Sequence, residues 1–344
     1  MATIKEIAKR ANVSIGTVDR VLHNRGNVAP EKEKKIRKII AELNYKPNVY
    51  AKALKLSKEY HIGVLMPYED QDSGYWKLPI SGMKEAAQEL KIQKVKLRFF
   101  HYDRYSEESF LKTAKLVLEK SLDGLLIAPV LMRAMDKLIN QIPKTLPYVF
   151  FDSTIPDAEC LSFIGQDSFQ SGILAAKLLN NLLHTSRSVA VIRILPEDFH
   201  IEQRIKGFLS YMSQVDNIEI LTYNVQGDEG QKGFMKINDE IFRNNPNVTG
   251  IFVTNALTYH FAEIIQNQNK QDNIRIIGYD LIPQNIHFLK EGVIDFLINQ
   301  MPKAQGYRGI YTLFRHVVLK EDIQPRIMMP IDILTKENID YYQG

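Results

Sequence analysis

Residues 3–22 read TIKEIAKRANVSIGTVDRVL and predict two short helices joined by a tight turn. In the first helix, apolar residues recur at helical spacing, namely Ile4, Ile7, Ala8 and Ala11. The pattern then breaks, because Asn12 tolerates a left-handed turn conformation and Ser14 is a favourable N-cap. The apolar residues of the second helix face the first helix, and they are Val18, Val21 and Leu22.

The early residues of this second helix point outward, and they are Ile15, Gly16, Thr17, Asp19 and Arg20. This pattern is typical of a helix-turn-helix, whose second helix reads base edges with its early residues. The alternative is a helical hairpin in a larger core, since any amphipathic helix pair has this periodicity. Residues 1–59 carry a net charge of +8, whereas the remainder carries −4. A basic head favours phosphate binding and therefore DNA.

Length and composition narrow the possible classes of protein. A chain of 344 residues exceeds a single core, so we expect a small head and a larger body. One cysteine, Cys160, excludes an intramolecular disulfide and a cysteine-rich metal site. The N-terminal sequence lacks an apolar leader, and no run approaches the ~18 apolar residues of a membrane span. We therefore expect a cytoplasmic protein without membrane association.

A third helix and a short linking helix are predicted after the helix-turn-helix. Pro30 at a helix start precedes apolar residues at helical spacing, which are Ile36, Ile39, Ile40 and Leu43. Residues 48–56, NVYAKALKL, favour one short helix that needs a partner helix or DNA, because helix nucleation is costly in water. Leu54 lies on one side of this helix and is a candidate contact with that partner helix or DNA. The alternative is that Leu54 packs the head against the body.

From residue 60 onward, apolar strands alternate with amphipathic helices. Strands are predicted at 61–67, 95–100, 124–128, 148–151, 188–194, 218–223, 250–253, 274–279, 293–299 and near 326–333. Helices are predicted at 80–90, 109–119, 132–141, 171–183, 201–214, 232–243, 259–267 and 304–318. This alternation is typical of an α/β fold with two doubly wound parallel sheets, which bind ligands at the carboxyl ends of their strands.

Polar side chains cluster at those strand ends and at helix starts. The candidates there are Asp152, Asp167, Arg204, Asn255, Asp280 and Gln300. Each alone would more often cap a helix or bond within a loop, but together they indicate a ligand cleft between two lobes. An exposed aromatic pair, Tyr75-Trp76, follows the first strand and is a candidate for stacking on a sugar ring; ordinary loop packing is the alternative.

The strings TIKEIAKRANVSIGTVDRVLHN and NYKPNVYAKAL resemble the headpiece and hinge of the lactose-repressor (LacI) family of bacterial transcription regulators. The resemblance is ungapped over the first 56 residues and continues more loosely through a core similar to ribose-type periplasmic sugar-binding proteins. It implies a helix-turn-helix head at 1–46 and a hinge helix and linker at 47–59. It further implies an N-terminal lobe at 60–161 with 301–322, and a C-terminal lobe at 162–300 with 323–344.

The resemblance also implies partners and contact residues. A homodimer would bind a pseudo-palindromic operator in double-stranded DNA, with Leu54 wedged into the minor groove. Arg20 is the candidate for a guanine contact and Ile15 for a thymine methyl, while Asp19 stands where serine is frequent. The candidate DNA-binding residues are Thr3, Ser14, Ile15, Gly16, Thr17, Asp19, Arg20, Asn24, Tyr45, Asn48, Ala51, Ala53 and Leu54.

For the core, the resemblance implies a polyhydroxylated effector, a sugar, gripped by Arg204, Asn255, Asp280, Gln300 and Asp152. Two departures are Ser153, where the ribose binders have a second arginine, and Ala256, where an acidic residue is usual. Carboxylates accept and arginine donates, which suits vicinal hydroxyls. The candidate effector-binding residues are Tyr75, Trp76, Asp152, Ser153, Asp167, Arg204, Asn255, Asp280 and Gln300.

Other functions find less support in the sequence. No nucleotide-binding, metalloprotease or hydrolase motif occurs, and the eight histidines have no metal-ligand spacing, so we predict no enzyme, metal or cofactor. Asp152 and Asp280 leave glycoside hydrolysis open, because that reaction needs two carboxylates about 5–10 Å apart. The remaining alternatives are a purine or sugar-phosphate effector in the same architecture, and a solute-binding protein without a DNA role.

Overall fold

The computed structural model describes residues 4–22, 28–43, 58–183, 188–196 and 198–343. The chain forms two compact units, Met1–Ser57 and Lys58–Gly344, which we call the head and the core. The described part of the head contains α1 (Ile4–Ala11), α2 (Ile15–Leu22) and α3 (Pro30–Glu42). Their apolar faces enclose a small hydrophobic core of Ile7, Ala8, Ala11, Val18, Val21, Ile36 and Ile39. The predicted three-helix head is therefore confirmed.

The core contains two six-stranded sheets. The first holds β1 (Tyr60–Pro67), β2 (Val95–Tyr102), β3 (Gly124–Ile127), β4 (Tyr148–Phe151), β5 (Ser162–Gly165) and β11 (Arg326–Met328). The second holds β6 (Ser188–Leu195), β7 (Glu219–Gln226), β8 (Val248–Val253), β9 (Arg275–Tyr279), β10 (Phe296–Asn299) and β12 (Asp332–Leu334). Their spatial orders are β11-β5-β4-β3-β1-β2 and β12-β10-β9-β8-β6-β7. Paired strands are parallel except β10 with β12.

Helices cover these sheets as the strand–helix alternation predicts. They are α4 (Lys77–Glu89), α5 (Glu107–Leu118), α6 (Met132–Ile139), α7 (Ser168–Leu182), α8 (Phe199–Met212), α9 (Gly230–Asn244), α10 (Thr258–Asn267), α11 (Pro283–Lys290) and α12 (Pro302–Val317). The central strands β3 and β4 are buried along their whole length, which explains their continuous apolar sequences. The α/β class with two parallel-dominated sheets is confirmed.

Two strands lie in a different sheet from the predicted one. The boundaries at 161/162 and 322/323 assign β5 and β11 to the second lobe, whereas β5 pairs with β4 and β11 pairs with β5. The single strand expected near 326–333 is two strands, β11 in the first sheet and β12 in the second. Strands of three or four residues carry no sequence signal for their neighbours, since pairing is decided by tertiary packing. Strand β5 and helix α11 were not predicted.

The chain crosses between the lobes more than once. After β10, helix α12 packs on α4 and on strands β3, β4 and β5, so it belongs to the first lobe. The connections after β1, β2 and β4 and after β6, β8, β9 and β10 then contribute side chains to one interlobe region. Among the residues described, no helix is long and apolar enough to cross a membrane.

Candidate functional site

The turn between α1 and α2 has the geometry expected of a helix-turn-helix. Asn12 adopts a left-handed conformation with φ of 55°, as predicted. The Oγ atom of Ser14 accepts a hydrogen bond from the backbone N–H of Thr17 at 3.1 Å, which caps α2. Ile15 keeps 48% of its surface exposed, and Gly16 and Arg20 are also exposed. Ile15, Gly16 and Arg20 therefore form an accessible face of α2.

Several predicted DNA contacts cannot be placed. Thr3, Asn24, Tyr45, Asn48, Ala51, Ala53 and Leu54 lie outside the described residues, as does the side chain of Asp19.

In the core, five of the predicted ligand residues are brought together in the interlobe region. Asp152 follows β4, while Asn255, Asp280 and Gln300 follow β8, β9 and β10. Arg204 lies in the second turn of α8, the helix after β6. Relative exposure is 6% or less for each of the five. The cluster is therefore buried, and its polar atoms must be paired or await a ligand.

Arg204 is held in place by the second lobe. Its Nη1 donates to the carbonyl oxygen of Thr254 at 2.8 Å, and its Nη2 donates to Oε1 of Gln300 at 3.1 Å. The guanidinium lies 3.7 Å from the centre of the Tyr279 ring. Its Nε has no hydrogen-bond partner among the described atoms. A fully buried donor of this kind is suited to an acceptor on a ligand.

Asp280 is joined to Arg204 through Gln300. The Nε2 of Gln300 donates to Oδ1 of Asp280 at 3.0 Å. Burial raises the pKa of Asp280 to about 7, although the positive charge of Arg204 opposes this shift. The carboxyl group thus lies close to the balance between its two protonation states at neutral pH, where ligand hydroxyls can favour the charged form.

The first lobe contributes Asp152 and Tyr75. The Tyr75 hydroxyl donates to Oδ1 of Asp152 at 2.5 Å, and burial followed by the charge of Asp152 raises the pKa of Tyr75 well above its usual value. The backbone N–H of Asp152 donates to Oε1 of Gln305, whose Nε2 donates to the carbonyl oxygen of Gln300, both at 2.8 Å. Gln305 therefore connects the two halves of the cluster.

The prediction that Tyr75 and Trp76 form an exposed aromatic pair is wrong. Trp76 is fully buried, packs edge-on against Phe151 with ring centres 6.4 Å apart, and donates its Nε1–H to Oδ2 of Asp72 at 2.8 Å. Tyr75 is also buried, and it reaches the cluster through its hydroxyl. Trp76 can lie in the interior because its indole N–H donates to the buried carboxylate of Asp72.

Asp167, Ser153 and Asn255 have different surroundings. Asp167 is exposed and caps α7 by accepting from the N–H of Gln170 at 2.9 Å, so it is an ordinary helix cap. Ser153 is buried, and its Oγ accepts from the N–H of His200 at 3.3 Å. The Asn255 Oδ1 accepts from a backbone N–H at 3.0 Å, while its Nδ2 is buried without a partner among described atoms. Asn255 therefore retains a donor for a ligand.

A second group of buried titratable side chains beside this cluster was not predicted from the sequence, and it is formed by Asp72, Arg104, Asp198 and His200. Asp72 Oδ2 accepts from Nη1 of Arg104 at 2.7 Å, and Nδ1 of His200 lies 2.8 Å from Oδ1 of Asp198. Burial alone would raise the pKa of Asp198, yet it lies below its usual value because His200 and Arg104 favour the carboxylate. Two of these residues could have been identified by their positions in the sequence, because Arg104 follows β2 and Asp198 precedes α8.

The comparisons with known proteins match both units. Residues 3–48 match the family described as bacterial regulatory proteins, lacI family, and residues 62–321 match the periplasmic binding protein domain. The HTH-type transcriptional repressor PurR of Pasteurella multocida is 27% identical over 98% of this chain and 99% of its own length. The ribose operon repressor of Lactococcus lactis is 25% identical over 98% of both chains.

A solved structure agrees with these matches. A crystal structure from Bacteroides fragilis, described as a candidate LacI transcriptional regulator, is 33% identical with a TM-score of 0.77, and the match covers 83% of this chain and all of that one. The matches of the head and of the core therefore indicate the same class of protein. The chain belongs to the lacI family of bacterial regulatory proteins, and it is a DNA-binding transcription regulator with a small-molecule effector.

Proposed function

We propose that the effector is an uncharged polyhydroxylated molecule, a sugar, bound between the two lobes. The observation that carries this proposal is the linked set of Arg204, Gln300 and Asp280 from the second lobe facing Asp152 and Tyr75 from the first. Carboxylates accept from hydroxyls and arginine donates to them, so a ring with vicinal hydroxyls can pair with both lobes at once. The similarity to the Lactococcus ribose operon repressor agrees with this chemistry.

The charges of the cleft argue against a phosphorylated effector. Two buried guanidiniums, Arg104 and Arg204, accompany four buried carboxyl groups, which are Asp72, Asp152, Asp198 and Asp280. Arg104 is already engaged by carboxylates. A doubly charged phosphate would add repulsion in a region of low dielectric. A purine is the second candidate for the effector within the same architecture.

On DNA, the protein would act as a homodimer on a pseudo-palindromic operator, with one α2 in the major groove of each half-site. Arg20 would contact guanine and Ile15 a thymine methyl. Leu54 would wedge into the minor groove, and the other candidate hinge residues would contact the operator beside it. Effector binding would alter operator affinity by about 1–3 kcal/mol. A regulator of this kind works in the cytoplasm, and the proposal includes no catalytic step, metal or cofactor.

The DNA-reading assignment is tested by selecting an operator in vitro and measuring its binding by fluorescence anisotropy. Arg20→Ala should weaken binding about tenfold or more and relax the preference for one base pair. The matched control is Lys34→Ala, which removes one exposed charge from α3 and should weaken specific and non-specific DNA alike. An Arg20→Ala protein with unchanged affinity and base preference would contradict the assignment.

A further inference from the structure

Arg104 is a buried cation that contacts both lobes. It follows β2 in the first lobe, and only 3% of its surface is exposed. Its Nη1 donates to Oδ2 of Asp72 at 2.7 Å within the same lobe. Its Nη2 crosses to the second lobe, where it lies 3.3 Å from the carbonyl oxygen of Pro196 and 3.5 Å from Oδ2 of Asp198. One guanidinium therefore joins two carboxylates from opposite lobes.

On the first-lobe side, Asp72 organises the loop that carries Tyr75. Asp72 accepts from Nε1 of Trp76 at 2.8 Å and from the Tyr105 hydroxyl at 3.0 Å, in addition to Arg104. Asp72 and the next residue, Ser73, both adopt left-handed conformations, which hold the loop in a tight bend. The position of the Tyr75 hydroxyl thus depends on a loop anchored by Arg104 through Asp72.

On the second-lobe side, Asp198 begins the helix that carries Arg204. Its Oδ1 accepts from the N–H of Ile201 at 3.2 Å, so Asp198 is the N-cap of α8. Arg104 and His200 both favour the charged form of this cap. The N-terminus of α8 carries a partial positive charge, which a carboxylate also stabilises. Arg104 therefore contacts the residue that fixes where α8, and with it Arg204, begins.

Other contacts also join the two lobes. The Oγ of Ser73 and the hydroxyl of Tyr259 are 2.8 Å apart, and the N–H of His200 donates to Ser153 Oγ. The hydroxyl of Tyr105 occupies the space that a Cβ at Gly227 would need, at 2.6 Å. These contacts are uncharged, whereas the Arg104 bridge is ionic and buried. Breaking a buried ion pair costs more free energy than breaking a neutral contact, because a charge is left unpaired.

We infer that Arg104 is a positioning residue that latches the two lobes through Asp72 and Asp198 and so holds Tyr75 and Arg204 in register for the effector. This inference rests on the proposed function for its purpose. Removing one partner of a buried ion pair leaves the other charge unpaired, so the lobes should separate more often.

The test is hydrogen–deuterium exchange of the full chain without ligand, read by mass spectrometry on residues 71–76, 198–204 and 255–260. Arg104→Met should raise exchange about tenfold in all three segments, because a lost charged hydrogen bond favours opening. The segment 255–260 includes Tyr259, whose hydroxyl lies 2.8 Å from Oγ of Ser73 in the first lobe, so its exchange reports separation of the lobes. Arg104→Lys should restore part of the protection.

Two further variants complete the design. Asp198→Asn keeps an N-cap but removes the charge, and it should raise exchange at 71–76 in the opposite lobe. Arg98→Met, an exposed arginine on β2, is the matched control and should change none of the segments. The latch is contradicted if Arg104→Met affects only 71–76, or if Asp198→Asn leaves 71–76 unchanged. Either result would leave the proposed function intact, whereas a missing sugar response would contradict that function and not the latch.

Discussion

Gly207 on α8 lies against the backbone carbonyl of Phe169 on α7, so closely that a Cβ atom at Gly207 would be 1.9 Å from that oxygen. The contact is reciprocal, because a Cβ at Gly172 would lie 2.0 Å from the carbonyl oxygen of Arg204. The two helices therefore touch backbone to backbone. This close packing determines where α8 places Arg204 in the cleft.

Gly207→Ala should destabilise the core, because the new methyl group would force the backbones of α7 and α8 apart. We expect a loss of about 1–3 kcal/mol in the free energy of unfolding, the usual cost of overpacking. Urea denaturation measures this change. Ser210→Ala, at an exposed position on the same helix, should stay within about 0.5 kcal/mol of the wild type. Equal stability of the two variants would show that the helices can separate without cost.

Asp280 should make the effector-free core less stable as pH rises. Burial raises its pKa from 3.8 to about 7, so the folded state binds its proton more tightly than the unfolded state. Stability contributed by the neutral carboxyl is present below about pH 4 and is lost as pH rises towards 7. One pKa unit corresponds to about 1.4 kcal/mol, so the loss amounts to at most a few kcal/mol.

Asp280→Asn removes this titration. Unfolding free energies at pH 5 and pH 8 should show that the variant gains stability relative to the wild type at the higher pH. Asp136→Asn, at an exposed position on α6, should show no such gain. A stability difference between wild type and Asp280→Asn that is independent of pH would contradict the raised pKa.

Tyr75→Phe should weaken effector binding while keeping the aromatic ring. The variant removes the donor to Asp152 and leaves a buried carboxylate with fewer partners, which costs about 1–3 kcal/mol. Calorimetric titration with a sugar that stabilises the wild type should then show about tenfold weaker binding. Tyr68→Phe, at a residue with 48% of its surface exposed, is the control. Unchanged affinity in Tyr75→Phe would indicate that the ring, not the hydroxyl, acts in the site.

Ser14→Ala should loosen α2, because it removes the cap on the N–H of Thr17. The expected cost is about 1 kcal/mol, seen as roughly fivefold faster hydrogen exchange across residues 17–21. Ser14→Asn should preserve the protection, since asparagine is an equally good N-cap. If exchange in Ser14→Ala matched the wild type, the cap would contribute nothing to the recognition helix.

Much of the site could be predicted because parallel sheets collect their strand ends at one edge. Asp152, Asn255, Asp280 and Gln300 each follow an apolar strand, and the structure brings all four together. Arg204 could be found because its helix follows β6 directly. The same rule failed for Asp167, which follows β5 but caps α7 at the surface. Position in a strand–helix connection cannot distinguish a cap from a ligand residue.

The second group of titratable side chains could not be predicted, because Asp72 and Arg104 come from connections without a periodic pattern. Asp72 and Arg104 are 32 positions apart and meet only when β1 and β2 pair. Burial of Trp76 follows from its bond to Asp72, which the sequence does not reveal. The sheets of β5 and β11 are likewise settled by pairing between segments distant in sequence.

A thermal-shift screen of the full chain tests whether an uncharged sugar binds between the lobes. Wild type and Arg204→Met would be compared with neutral monosaccharides, sugar phosphates and purines. A ligand at 100 times its Kd adds about 2.7 kcal/mol to stability. Sugar binding between the lobes predicts that at least one neutral sugar raises the Tm of the wild type and leaves that of Arg204→Met unchanged. Stabilisation by a purine or sugar phosphate alone, or equal stabilisation of both proteins by a sugar, would contradict it.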